Sequence, residues 1–335
     1  MDLAEFLFCM SPVMSVLHHL LYHALITFDE VTAILNTDSR EAAEWFTAYV
    51  GLGNISACFA GIVVLLVVIN RIRSCGLKDF QDGNEASSLL MTLLVTAAVW
   101  MLPWKTWNDT DFVKPFTQAV IYLHGLPHYG EYSDERAERL QLVISAPLSN
   151  TPHTVIMVIG ESAGRDHVKA YNDDVPFDNS PWLSSRKTDG DFIIFDNAYA
   201  CQSLTQQALE HALTEKSYYN DKKFLESMNI VDIAKEKGYK TYWITNLGDD
   251  NKGSSFFHVS ARSDEFINVP RKYDGDMLQE LFHIDPEENN FIVFHGFGSH
   301  VVYKERYPED KAVFPGDTVE AEYSNAIHYT DDFLK

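Results

Sequence analysis

The chain has 335 residues, enough for two domains. Its 26 Lys and Arg face 48 Asp and Glu, a formal net charge of -22, which argues against nucleic acid as a partner. The four cysteines, Cys9, Cys58, Cys75 and Cys201, form no C-x-x-C pair, which argues against a cysteine zinc site.

Residues 6–28 carry no formal charge with histidines neutral, and they are long enough to cross a bilayer, which takes about 20 apolar residues. His18, His19 and His23 in that run read as a face turned toward other helices. Residues 31–48 mix Ala33, Ile34, Trp45 and Phe46 with Asp38, Arg40, Glu41 and Glu44, the pattern of an amphipathic helix at a membrane surface. Residues 50–70 are again uncharged and form the strongest span. Arg71, Arg73 and Lys78 follow at once, which places that loop in the cytoplasm. A third apolar run, 87–104, closes on Trp100, Trp104 and Trp107, an interfacial belt. Met1 is then inside, and everything after about residue 105 outside. No basic segment or small-residue cleavage site marks a signal peptide. Only Cys201 lies in the part predicted to be soluble, so no disulfide is expected within it.

Residues 105–150 show no clear period and read as a bridge along the membrane surface, with a short solvated helix at Ser133–Arg139. From 151 the pattern becomes α/β. Strands are predicted at 154–159, 191–195, 240–245 and 290–295, and helices at 205–215, 229–238 and 274–283. Such alternation implies a mostly parallel sheet with helices on its faces.

Val155 to Ile159 form an unbroken apolar run, the signature of a strand buried on both faces. It stops at Gly160, leaving Glu161 and Ser162 at the carboxyl end of the strand, where open α/β sheets bind ligands. An unpaired buried carboxylate is costly there, and a metal ion is one remedy. The same residues, Gly160-Glu161-Ser162-Ala163-Gly164, also match the G-x-S-x-G nucleophile elbow, which would make Ser162 the attacking group. The hydrolase fold places several strands before its elbow. Residues 105–150 do not read as strands, and no HGGG-type motif lies upstream, so the metal reading of Glu161 is preferred.

Further along, Thr205 falls at or near a helix start, where the helix dipole favours an alkoxide. A zinc ion would lower its pKa further. The alternative is that Ser203 or Thr205 is only an N-cap. His295 and His300 flank small residues after the last predicted strand and suit metal or phosphate contact, against the alternative of a pair of surface loop histidines. Glu322 to Asp331 reads as a helix.

Taken together, the segments resemble the membrane-bound phosphoethanolamine transferases of the alkaline-phosphatase and sulfatase superfamily. The matching pieces run in the family's order: G-E-S-x-x-R-D-H at 160–167, N-S-P-W-L at 179–183, S-x-T…A-L-T at 203–214, W-I-T-N at 243–246, G-S-H-x-x-Y…R-Y-P at 298–308 and E-Y-x-N…Y-T-D at 322–331. Residues 37–45 also resemble the family's T-N-x-x-E-A-x-E-[FW] loop.

The resemblance implies a helical membrane domain over 1–104, a membrane-surface bridge over 105–150 and a sulfatase-like α/β/α sandwich over 151–335. It implies a multi-pass protein of the bacterial inner membrane with its catalytic domain in the periplasm. Glu161 would be a zinc ligand, and Thr205 both a zinc ligand and the nucleophile that takes up phosphoethanolamine. His300 would contact the phosphoryl group or a second metal, and Thr37 and Glu41 would hold the donor headgroup. The donor would be phosphatidylethanolamine, and the acceptor lipid A, a lipopolysaccharide core sugar or another envelope glycan. The family completes its metal site with an Asp-His-Gly motif that does not occur in these 335 residues, and the resemblance implies about five spans where three are read here, so the chain is expected to be truncated at both ends. A non-catalytic paralogue that keeps the fold, and a sulfatase or phosphoglycerol transferase of the same superfamily, remain as alternatives.

Overall fold

The structure, a computed structural model, describes residues 15, 18–19, 22–37, 42–43, 113–143, 153–248, 254–270 and 273–335. The predicted spans at 50–70 and 87–104, and most of 6–28, lie outside these residues. Among the described residues no helix is long and apolar enough to cross a membrane. The chain divides into two compact units.

In the first unit, helix α1 (Phe28–Asn36) and helix α2 (Lys114–Gly125) are described. Helix α1 starts three residues ahead of the predicted amphipathic run because Thr27-Phe28-Asp29-Glu30 is a capping box. The Thr27 N–H donates to Glu30 Oε2 (2.7 Å), and the Glu30 N–H donates to Thr27 Oγ1 (3.3 Å). Ile26 and Val31 pack with Phe116 and Ala119 to form this unit's core.

The second unit opens with a 3-10 run, Leu126–Tyr132, and helix α3 (Ser133–Val143). Then come β1 (Thr154–Ile159), α4 (Pro181–Arg186), α5 (Thr205–Leu213), α6 (Ile230–Glu236), β2 (Lys240–Thr245), α7 (Ser255–Ser260), β3 (Glu265–Asn268), a 3-10 run Asp274–His283, β4 (Asn290–His295) and α8 (Val319–Leu334). The four strands form one sheet in the order β1-β4-β2-β3, and every neighbouring pair is parallel. This is the expected α/β class. Parallel pairing needs a crossover between strands, which the helices supply. Tyr242, Ile244, Ile292 and Phe294 pack with Met277 into a buried cluster. Each such side chain contributes about 1.5–3 kcal/mol by leaving water.

Three predicted strands coincide with β1, β2 and β4. Residues 191–195 form no strand: Phe192, Ile193 and Phe195 are exposed, and no described strand pairs with them. β3 escapes sequence reading because it is four residues long and begins and ends on polar Glu265 and Asn268. The predicted helix at 274–283 is a 3-10 run. β1 also corrects an expectation. Val155, Ile156 and Val158 are 42%, 50% and 39% exposed, whereas β4 is buried throughout. An apolar run reports hydrophobicity, not neighbours, and β1 is the outermost described strand on its side of the sheet.

Residues 126–143 fold onto the α/β unit. Tyr129 stacks on Phe224 (4.8 Å between centroids), and the Arg136 guanidinium lies 4.0 Å over the Tyr129 ring. Arg136 Nη1 donates to the Leu225 carbonyl (2.8 Å). Asp232 pairs with Arg262 (2.9 Å) and approaches Arg136 (3.7 Å). Burial pushes the Arg136 guanidinium down from its ordinary pKa, opposed by Tyr129 and Asp232.

Nearby, burial alone would raise the Glu215 carboxyl, but Lys222, the Met228 N–H and Arg139 outweigh it and hold the group below its ordinary 4.5. A depressed carboxyl stabilises the fold above its unfolded value, and that contribution is lost as pH falls through the folded one. Glu215→Gln is therefore expected to melt lower than the parent at pH 7, with the gap closing below about pH 4.5 in a series of thermal melts.

Candidate active site

The parallel register brings Ile159, His295 and Thr245 level at the carboxyl ends of β1, β4 and β2. The chain leaves β1 through Gly160 and places Glu161, 9% exposed, just past the sheet edge. Ser162 then takes a left-handed backbone, with φ of 53°. The Tyr323 hydroxyl spans this turn. It donates to the Ser162 carbonyl (2.7 Å) and accepts from the Gly164 N–H (2.8 Å).

Thr205 is the first residue of α5, and its Oγ1 donates to Glu161 Oε2 at 2.8 Å. The N-cap is Leu204, and no side chain caps the helix. The Thr205 hydroxyl is thus not consumed in capping, and the N-cap alternative does not hold. On the other side of Glu161, His295 Nε2 lies 3.5 Å from Oε1. His295 is fully buried, edge-on to Phe256 and Trp243. Beyond the Glu161 contact neither ring nitrogen has a hydrogen-bond partner among the described residues.

The Gly298-Ser299-His300 loop also meets Glu161, through its backbone. The Ser299 N–H donates to the Glu161 carbonyl (2.9 Å). His300 is half-buried on this loop, and its ring is edge-on to Phe297. Ser162 is exposed, and among the described residues no base contacts its hydroxyl, so the nucleophile-elbow reading has no charge relay behind it. Thr37 is exposed just past α1, and Glu41 lies outside the described residues. Cys201 is free and exposed.

Glu161 and Thr205 offer two oxygen donors, where zinc takes about four ligands. Among the described residues no group of three or more His, Cys, Asp or Glu could hold a metal ion. The pair fits one flank of a zinc site and does not complete it. What the arrangement provides by itself is a hydroxyl at an uncapped helix start, oriented by a buried carboxylate. Negative charge developing on that oxygen is favoured by the helix dipole.

Sequence reading named His295 but did not choose it, and it carried Tyr323 only as part of the E-Y-x-N segment, with no role. The Tyr323 contact joins residues 159 apart, and nothing local announces it.

The sulfatase family matches residues 153–335. The chain belongs to that family. Over 338 aligned residues it is 23% identical to phosphoethanolamine transferase EptC of Escherichia coli strain K12, covering 90% of this chain and 56% of EptC. It thus spans about half the length of this relative and is a distant homologue of the phosphoethanolamine transferases. The C-terminal periplasmic domain of EptC from Escherichia coli, solved in complex with Zn, aligns at 28% identity and a TM-score of 0.49, covering 57% of this chain and 62% of that one. The integral membrane protein lipooligosaccharide phosphoethanolamine transferase A from Neisseria meningitidis aligns at a TM-score of 0.56 and 15% identity, covering 99% of this chain and 66% of that one. The last likeness is one of fold.

Proposed function

We propose that this sulfatase-family chain transfers phosphoethanolamine from phosphatidylethanolamine to an envelope glycan, such as lipid A or a lipopolysaccharide core sugar, through a covalent Thr205 intermediate. The observation that carries the reading is the 2.8 Å hydrogen bond from Thr205 Oγ1 to the buried Glu161 at the uncapped start of α5. The relatives named as phosphoethanolamine transferases support the same chemistry.

In the first half-reaction the Thr205 oxygen attacks the donor phosphorus, and the bond to the glycerol oxygen breaks. Diacylglycerol leaves and takes up the proton that Thr205 gives up. In the second, an acceptor hydroxyl attacks the phosphorus, the bond to the Thr205 oxygen breaks, and Thr205 is freed with the proton the acceptor gives up. Glu161 holds the attacking oxygen in place, and the N–H groups at the start of α5 favour the charge that builds there. A zinc ion held in part by Glu161 and Thr205 would lower the hydroxyl pKa and offset charge on the phosphoryl oxygens. His300 would reach the phosphoryl group from the loop after β4. Thr37 and Glu41 would hold the donor headgroup, residues 1–104 would anchor the chain in the bacterial inner membrane, and 151–335 would work in the periplasm.

The test is a half-reaction. Full chain is incubated with zinc and fluorescent phosphatidylethanolamine vesicles, then digested and mapped by mass spectrometry. Phosphoethanolamine on the peptide carrying Thr205, with diacylglycerol released, is the expected result. No adduct and no diacylglycerol would move the chain to the non-catalytic reading.

A further inference from the structure

We propose that Tyr323 and Asp274 are positioning residues that hold Glu161 in place from two sides, each acting through the backbone. The kinetic part of this inference rests on the transferase reading above; the geometry does not.

Glu161 is followed by a residue in a left-handed conformation that is uncommon outside glycine. Such a turn persists only where its surroundings over-determine it. One support is the single hydroxyl of Tyr323, which closes the turn from Ser162 to Gly164 with two hydrogen bonds, 2.7 and 2.8 Å. The Tyr323 ring is itself wedged against Tyr303 (4.8 Å between centroids) and edge-on to His167 (5.7 Å).

The second support comes from the other side. The Ser299 N–H donates to the Glu161 carbonyl, and Gly298, with φ of 51°, lies so close that a Cβ there would sit 2.7 Å from the Glu161 nitrogen. That loop is moored by the buried Asp274 carboxylate. Its Oδ1 accepts from the Phe297 N–H (2.9 Å) and from Asn246 Nδ2 (2.9 Å), and its Oδ2 accepts from the Gly298 N–H (2.8 Å). A Cβ on Gly296 would meet the Asp274 carboxyl carbon at 2.6 Å, so the loop is fitted to that carboxylate. Neither Tyr323 nor Asp274 hydrogen-bonds the Glu161 side chain. Both fix the backbone from which it reaches Thr205.

A merely structural role would lower stability and leave turnover per folded molecule alone. A positioning role moves kcat, because a carboxylate misplaced by about 1 Å can cost about 100-fold in rate. The discriminating variant is Tyr323→Phe, which keeps the ring and removes one oxygen. It is expected to lower kcat for diacylglycerol release from fluorescent phosphatidylethanolamine vesicles about 10- to 100-fold, with KM within about twofold. Asp274→Asn, which turns an amide toward backbone N–H donors, is expected to do the same.

Hydrogen exchange supplies a readout independent of activity. In Tyr323→Phe the Ser299 amide is expected to exchange at least about tenfold faster, although Tyr323 does not touch it, because the Glu161 carbonyl it bonds is no longer held. Wild-type kcat in both variants, or a raised KM at unchanged kcat, overturns the proposal. Should wild-type protein release no diacylglycerol, the transferase reading fails. The Ser299 exchange rate then decides the positioning claim alone, and a wild-type rate in Tyr323→Phe overturns it.

Discussion

Thr205→Ala is expected to reduce diacylglycerol release from phosphatidylethanolamine by about 1,000-fold or more, a loss of about 4 kcal/mol in barrier stabilisation. The substitution deletes the oxygen that would accept the phosphoryl group, and no other described hydroxyl hydrogen-bonds Glu161. The fold should survive it. Thr205 stands at the first position of α5, where it satisfies no helix donor, and alanine is tolerated in a helix. The lost hydrogen bond to Glu161 costs about 1.5–3 kcal/mol, within the reach of a stable domain. Thr205→Ser keeps the oxygen and should retain much of the rate. An assay of purified chain with fluorescent donor, with thermal melts in parallel, separates lost chemistry from lost fold. Release by Thr205→Ala at more than about a tenth of the parent rate would remove Thr205 from the nucleophile role.

The second large effect concerns stability. Asp232→Ala is expected to cost about 3–5 kcal/mol, a large part of the roughly 5–15 kcal/mol that holds a domain folded. Asp232 accepts from Arg262 Nε (2.9 Å) and Asn229 Nδ2 (2.7 Å), and it faces Arg136, which is 1% exposed. Without it the Arg136 charge is buried with no ion-pair partner among the described residues. Removing both charges should be far milder. Arg136→Leu combined with Asp232→Leu is expected to recover part of the loss, since it removes the buried guanidinium together with its carboxylate, while Arg262, 36% exposed, can turn to water. Denaturant melts of Arg136→Leu, Asp232→Leu and the double variant close the cycle and give the coupling directly. Additive losses would mean that the pair does not act as a unit.

What could be read from the sequence followed physical range. β1, β2 and β4 are dense in apolar residues, and α5 follows a polar run, so each announces itself within ten residues. β3 is too short to show a period, and the apolar run at 191–195 satisfies every local rule for a strand yet pairs with no described one. The site splits the same way. Glu161 and Thr205 were each legible as residue types at particular element ends, but their contact, 44 residues apart in sequence, was not. Tyr323 fell within the E-Y-x-N segment, but its two hydrogen bonds to the 162–164 turn, and the mooring by Asp274, leave no pattern along the chain.

The pairing of β1 with β4 sets a clock on assembly. Thr154 aligns with Asn290, so β1 cannot join the sheet until about 136 further residues have been made. At ribosomal rates of about 5–20 residues per second, that is a wait of roughly 7–27 seconds. Through that interval the edge of Val155–Ile159 that pairs with β4 has no partner, the kind of apolar surface a chaperone holds. Glu161 follows that strand after Gly160, and His295 closes β4. The corner that holds Glu161 and His295 is therefore not assembled until β4 has been made.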